Sequence, residues 1–184
     1  MSQPQSPEPV KLISSVFSNN MKELHATVIA LVEKFGSVDY ISSILPFDYT
    51  KYYERELGSS LLRRFISFET LIKPETLPDI KLTTNTIEEG FSKKGKRNVN
   101  IDPGYLSPAH LILATGKGFT HRPYLRNGIY ADLTLIYRHN TFEPLQWTYP
   151  DYGGEKIRKM LQVIRKKYLM QLKHLKTDSP ELTY

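Results

Sequence analysis

An α+β domain with a mainly antiparallel or mixed sheet, helices packed chiefly on one face and a long basic C-terminal helix is predicted by three observations. Apolar runs of strand length alternate with stretches whose apolar residues recur three or four apart. Asn127-Gly128 joins two alternating segments, a strong short-range sign of a hairpin between antiparallel strands. The 184 residues, 40% hydrophobic and 24% charged, suit one domain with a core of its own and fit neither a disordered chain nor a fibre. Residues 1–8, polar and proline-rich, read as a flexible leader, and residues 9–184 as the domain, with 170–184 projecting or frayed.

The elements follow in order. "VKLISSVFS" predicts a first strand, and "NNMKELHATVIALVEKFG" a helix in which Leu24, Val28, Leu31 and Phe35 share a face and Gly36 is the stop. "VDYISSILPF" predicts a second strand ended by Pro46, "YTKYYERELG" a short helix closed by Gly58, and "LLRRFISFE" a third strand. From Leu77 the residues Leu77, Ile80, Thr84, Ile87 and Phe91 keep helical spacing, and Pro78 is tolerated in a first turn. "RNVNIDPGY" alternates with period two and is expected to turn at Asp102-Pro103-Gly104. "HLILAT" is a continuous apolar run, as in a strand covered on both faces. After the hairpin, "WTYPDYGG" leads into the last helix.

Composition excludes several chemistries. With no cysteine there is no disulfide, thiolate metal site or cysteine nucleophile, which suits a reducing cytosol. The opening "MSQPQSPEPV" lacks the basic and apolar regions of a secretory signal, and no run approaches the roughly 20 apolar residues of a membrane span. A cytoplasmic protein is expected. The net charge of +6 is concentrated: residues 155–176 carry eight basic side chains against Glu155 alone, and the remainder of the chain is close to neutral. Along that helix Ile157, Leu161, Ile164, Tyr168, Leu172 and Leu175 form an apolar seam. Its first half is expected to dock; the second would project as a solvated basic face, or meet nucleic acid, an anionic surface or a second copy of the chain in a dimer.

The hairpin supplies the candidate site. A two-residue type I′ turn at Asn127-Gly128 sets Pro123 opposite Asp132 and His121 opposite Thr134, and places Ile129, Ala131, Leu133 and Leu135 on the core face. His121, Asp132 and Thr134 then share the polar face, with Asp132 a diagonal neighbour of His121. The same alternation puts Asn98, Asn100 and Asp102 on one face of their strand. One surface would gather Asn100, Asp102, His121, Asp132 and Thr134. A histidine with a carboxylate partner is an acid–base pair, and two carboxylates with an amide suit a divalent ion. The plainer alternative is a solvated sheet face with a cross-strand His–Asp pair.

Other motifs carry less. The triplets His25-Ala26-Thr27 and His139-Asn140-Thr141 resemble paired H-x-T strands, yet the first lies in a helix and the second in a turn. "ATGKGFT" follows an apolar strand without the frame of a phosphate loop, which leaves Lys117 as a phosphate contact by charge. Tyr49, Tyr52 and Tyr53, and Trp147, Tyr149 and Tyr152, are stacking platforms or packing at a core margin. Lys93, Lys94, Lys96 and Arg97 form a basic cluster, which is common without any partner.

Taken together, "LPFDYTKYYERELG", "RRFISFETLI", "KLTTNTIEEGF", "RNVNIDPGYLS", "HLILATGKGFTHRPYLRNGIYADLTL" and "WTYPDY" resemble a small bacterial family catalogued as domain of unknown function 4416, from about Pro9 to Tyr152. The resemblance implies a compact bacterial domain and brings no established activity. Some relatives bear a GTP-binding label, which this chain supports poorly: it has neither a Walker frame nor an N-K-x-D motif. The family pattern has Thr-Lys-Asp where this chain reads Gly116-Lys117-Gly118, and a glutamate where it reads Asp132.

Two functional readings follow, with a third in which the chain is a protein-interaction module acting through its basic C-terminal helix. The preferred one is a binding domain for a phosphate-bearing ligand, nucleotide or RNA, with Lys117, Arg122 and Arg97 as phosphate partners, Tyr105 and Tyr130 as base platforms, and Asn100 and Thr134 as polar contacts. The alternative is a hydrolase using His121 as acid or base, Asp132 to orient it, and Asp102 with Asp132 to hold Mg²⁺ or Mn²⁺.

Overall fold

In the computed structural model, which describes residues 2–49, 53–93 and 95–178, the first strand in sequence lies deep in the sheet. All nine residues of β1 (Val10–Ser18) are buried, because both faces and both edges are covered. The helix α1 (Met21–Phe35) starts where Asn20 accepts hydrogen bonds from the Lys22 and Glu23 amides and stops at Gly36, whose φ of +91° favours glycine. β2 (Val38–Ile41) and β3 (Leu45–Phe47) both pair with β4 (Leu61–Ile72); α2 (Glu54–Leu57) lies between β3 and β4. α3 (Leu77–Gly90), β5 (Val99–Leu106), β6 (His110–Thr115), β7 (Tyr124–Arg126), β8 (Ile129–Arg138) and β9 (Thr141–Pro144) follow, then α4 (Pro150–Gly153) and α5 (Glu155–Asp178).

The sheet is antiparallel in the order β2-β4-β1-β5-β6-β8-β7, with β3 beside β4 and β9 beside β8. Alternation along β1 and β4 divides the core. Leu12, Val16, Ile66 and Phe68 meet Leu24 and Leu31 of α1 and Ile80 of α3. Ile13 and Phe65 point the other way and, with Leu106, Leu111 and Leu135, meet Leu161 and Ile164 of α5. α1 and α3 thus share one face, and α5 extends the helical cover to the other. The α5 seam is buried through Leu172, whereas Leu175 is exposed. Several of its basic residues are structural: Arg165 donates to the Pro108 carbonyl and stacks on Tyr137, and Arg158 donates to the Phe142 carbonyl. Tyr52, Lys94 and the tail from residue 179, parts of the aromatic, basic and projecting segments named above, lie outside the described residues.

Three local expectations are corrected. The stretch ended by Pro46 is two short strands rather than one, and Pro46 sits inside β3 at the sheet margin, where a missing amide donor is tolerated. Asp102-Pro103-Gly104 does not turn the chain but lies within β5. The Asn127-Gly128 turn has φ of +54° and +75°, as a type I′ turn requires, yet a bulge at Leu125 moves the register one residue, so that Tyr124 faces Tyr130 and Pro123 bonds to Ala131. Arg122, instead of Pro123, therefore comes opposite Asp132. Both faces of β8 are also covered: Ile129 packs with Leu77 under α3, while Asp132 and Thr134 are buried on the opposite face.

Candidate functional site

β5 and β6 are neighbours along half of their length and then part. They pair from Gly104 to Leu106, where a Cβ on Gly104 would stand 2.4 Å from the Ile112 carbonyl oxygen, so β6 approaches as closely as a glycine allows. At Ile101 the β6 side of the strand meets α3 instead: the Ile101 amide donates to Glu88 Oε1 (2.6 Å) and its carbonyl accepts from Lys81 Nζ (2.9 Å). By the two-residue alternation of a strand, the Pro103 nitrogen faces the same side, where it has no proton to offer a ladder. The proline marks the fork, and two charged α3 side chains satisfy the backbone that β6 leaves.

The fork opens into a cavity of about 570 Å³, within the range of small-molecule sites. β5 contributes Asn100 and Asp102 to its lining, α3 contributes Lys81 and Glu88, and the β6 end contributes Thr115 to Lys117. Arg122, Asp132 and Tyr149 close another side, and Arg63, Asp151 and Tyr152 a third. Most of its charge is internally matched. Arg63, buried between the rings of Phe65 and Tyr152, donates to Asp151 and to Ser15 Oγ (2.6 Å). Arg122 Nε donates to Asp132 Oδ2 (2.7 Å), and its other nitrogens reach the Lys117 carbonyl (3.2 Å) and Tyr149 Oη (3.0 Å). Arg97 grips Glu56 with two hydrogen bonds of 2.7 Å and also reaches Glu88 (3.0 Å). Burial, the largest influence, pushes the Glu88 carboxyl above the usual glutamate range despite Lys81, the Ile101 amide and Arg97, whereas the hydrogen bonds from Arg97 hold Glu56 below it.

Two groups on β5 are not matched. Asn100 is 4% exposed; its Oδ1 accepts from Arg97 (3.3 Å), which fixes the amide orientation, and its buried Nδ2 has no partner among the described residues. A buried donor left unmade costs about 1–3 kcal/mol. Asp102, half-buried on the same face, makes no hydrogen bond or ion pair among the described residues, although its charge acts on Arg63 at longer range.

The sequence-predicted residues divide accordingly. Arg97, Asn100, Asp102, Lys117, Arg122 and Asp132 all line the cavity. His121, Thr134, Tyr105 and Tyr130 are outside that lining. His121 is stacked on Trp147 at 4.8 Å between ring centres, and its Nε2 stands 3.8 Å from Asp132 Oδ2, too far for a hydrogen bond. Thr134 donates to the Asp132 carbonyl, Tyr105 packs against the Leu77 cluster, and Tyr130 lies edge-on to Tyr124. Among the described residues no group of three or more His, Asp or Glu side chains is placed to hold a metal ion, so Asp102 and Asp132 lack a third such ligand. Sequence reasoning missed Lys81, Glu88, Arg63 and Asp151. Lys81 and Glu88 fall in the buried stripe of α3 with Leu77 and Thr84, and charge at such positions was a legible signal.

The fold and this cavity define a class: an antiparallel α+β domain whose sheet forks around a polar site. Within it the chain belongs to the family described as Domain of unknown function (DUF4416), whose model matches residues 8–168. No curated protein and no solved structure matches the chain. No helix among the described residues is long and apolar enough to cross a membrane.

Proposed function

We propose that the domain binds a small phosphate-bearing molecule in the cavity at the β5–β6 fork. The observation that supports this is the convergence of Lys117 and Arg122 on the rim of a cavity of ligand size, with Arg122 positioned by Asp132, Tyr149 and the Lys117 carbonyl. A guanidinium held in one orientation loses little freedom when it meets an anion. Arg97 belongs to the site as a clamp, since its guanidinium already serves Glu56 and Glu88. Lys81, buried and cationic, adds a favourable field from the α3 side. Binding is favoured over the acid–base reading because His121 is stacked on Trp147 and outside the lining.

Thermal unfolding of the purified protein with phosphate, pyrophosphate, AMP and ATP, each with and without Mg²⁺, tests this. A ligand present at about 100 times its dissociation constant adds roughly 2.7 kcal/mol, a rise on the order of 5 °C for a chain of this size. Lys117→Ala, exposed and distant from the core, is expected to abolish the rise while leaving the apo transition in place. No shift with any of the four compounds would overturn the reading.

A further inference from the structure

We infer that the ligand enters with its anionic end at the rim and presents to β5 a planar polar edge carrying a hydrogen-bond acceptor beside an N–H donor, the edge of a nucleobase. This rests on the phosphate reading for the orientation alone. The two unmatched groups that β5 brings to the cavity have opposite polarity and one origin; the Tyr152 hydroxyl, also buried in the lining without a hydrogen-bond partner among the described residues, comes from α4. Asn100 Nδ2 is a donor with its orientation fixed by Arg97, and Asp102 is an acceptor without hydrogen-bond or ion-pair partner among the described residues. They are two residues apart on one strand face, opposite Phe17 and Ser15 of β1, which places their backbones about 6.7 Å apart along the strand. A planar edge with acceptor and donor on adjacent atoms offers one hydrogen-bond partner to each group.

Burial sets the direction. Asn100, Arg63 and Phe17 are at most 4% exposed, whereas Gly116 and Lys117 are exposed, so the β5 pair lies inside and the cationic rim outside. A second phosphate would be a poor occupant of the inner end, because the Asp102 carboxylate would repel it. An alkyl group there would leave Asn100 Nδ2 unsatisfied. Each of the four nucleobases has an acceptor next to an N–H on its pairing edge, and Phe17 in the lining offers an apolar wall to a flat ring.

Titration calorimetry of the intact chain with AMP, CMP, GMP and UMP, ribose 5-phosphate, and the free nucleosides tests the inference. At least one nucleotide is expected to bind tenfold or more tightly than ribose 5-phosphate. Asn100→Asp keeps an acceptor for Arg97 while removing the donor, and Asp102→Asn removes the charge. Each is expected to reduce the margin over ribose 5-phosphate, measured in the same variant, to below threefold. Ribose 5-phosphate binding as tightly as every nucleotide, or a margin unmoved by both variants, overturns this inference and leaves the phosphate reading standing. Nucleosides binding as tightly as their monophosphates support the inner edge and sink the phosphate reading. Silence from every probe overturns both.

Discussion

The two ends of β5 are built from one strand and behave oppositely. From Gly104 to Leu106 it is pressed against β6 so tightly that no side chain fits at Gly104, and Leu106 is fully buried. From Val99 to Asp102 the β6 side is taken over by α3 side chains, and the face toward α4 opens on a polar cavity. The closed end derives its rigidity from shape and the open end from paired charges, since Arg63, Arg97 and Arg122 each have a carboxylate. A strand that is locked at one end can hold unmatched groups at the other without collapsing onto them.

If paired charge supports the open end, removing one member is the most damaging change. Asp151→Ala leaves Arg63, 3% exposed, as a buried cation stripped of its hydrogen-bonded carboxylate, with the more distant Asp102 charge remaining, and is expected to cost about 3–5 kcal/mol in urea unfolding. A cost below about 1 kcal/mol would show that the cavity wall tolerates an unpaired charge and would dissolve the distinction between the ends.

Shape at the closed end should show as a contrast between glycines. Gly104→Ala drives a methyl into the Ile112 carbonyl and is expected to destabilise by about 1–3 kcal/mol. Gly116 stands at the end of β6 where the strands have parted. A Cβ there would meet no atom of the described residues within 4 Å, and Gly116→Ala is expected to stay within about 0.5 kcal/mol. Equal effects would mean that the two strands are as loosely coupled at 104 as at 116.

The same contrast separates what was legible in the sequence from what was not. α1 and α3 follow from periodicity, and β1, β4 and β6 from apolar runs of strand length, because their patterns express burial directly. The Asn127-Gly128 turn was legible for the same reason, since positive φ is a local demand. The fork was misread: Pro103-Gly104 looks like a turn when it is taken locally, and becomes a point of strand separation through β6, whose position no local pattern states. The bulge at Leu125 is of the same kind; it shifted Arg122 opposite Asp132 and put His121 under Trp147. Six of the predicted site residues nevertheless line one cavity: Asn100, Asp102 and Asp132 because alternation along β5 and β8 places them on one face, and Arg97, Lys117 and Arg122 from segments flanking the strands.

Glu88 joins the two ends and gives the smallest and most specific effect. Its carboxyl accepts the Ile101 amide and Arg97 while burial raises it above the 4.5 of a free glutamate. Between 4.5 and that raised value the folded chain holds a proton that the unfolded chain has released, so stability is full below 4.5 and declines as pH climbs through the window. Glu56 works in the opposite sense. Its lowered carboxyl contributes stability that is present above 4.5 and lost as pH falls below it. Glu88→Gln keeps an oxygen for the Ile101 amide and removes the titration. Urea unfolding of both proteins at a series of pH values rising from below 4.5 should show the wild-type chain losing stability relative to the variant as pH rises. Parallel curves would place the proton elsewhere and leave Glu88 as a purely structural cap on the open end of β5.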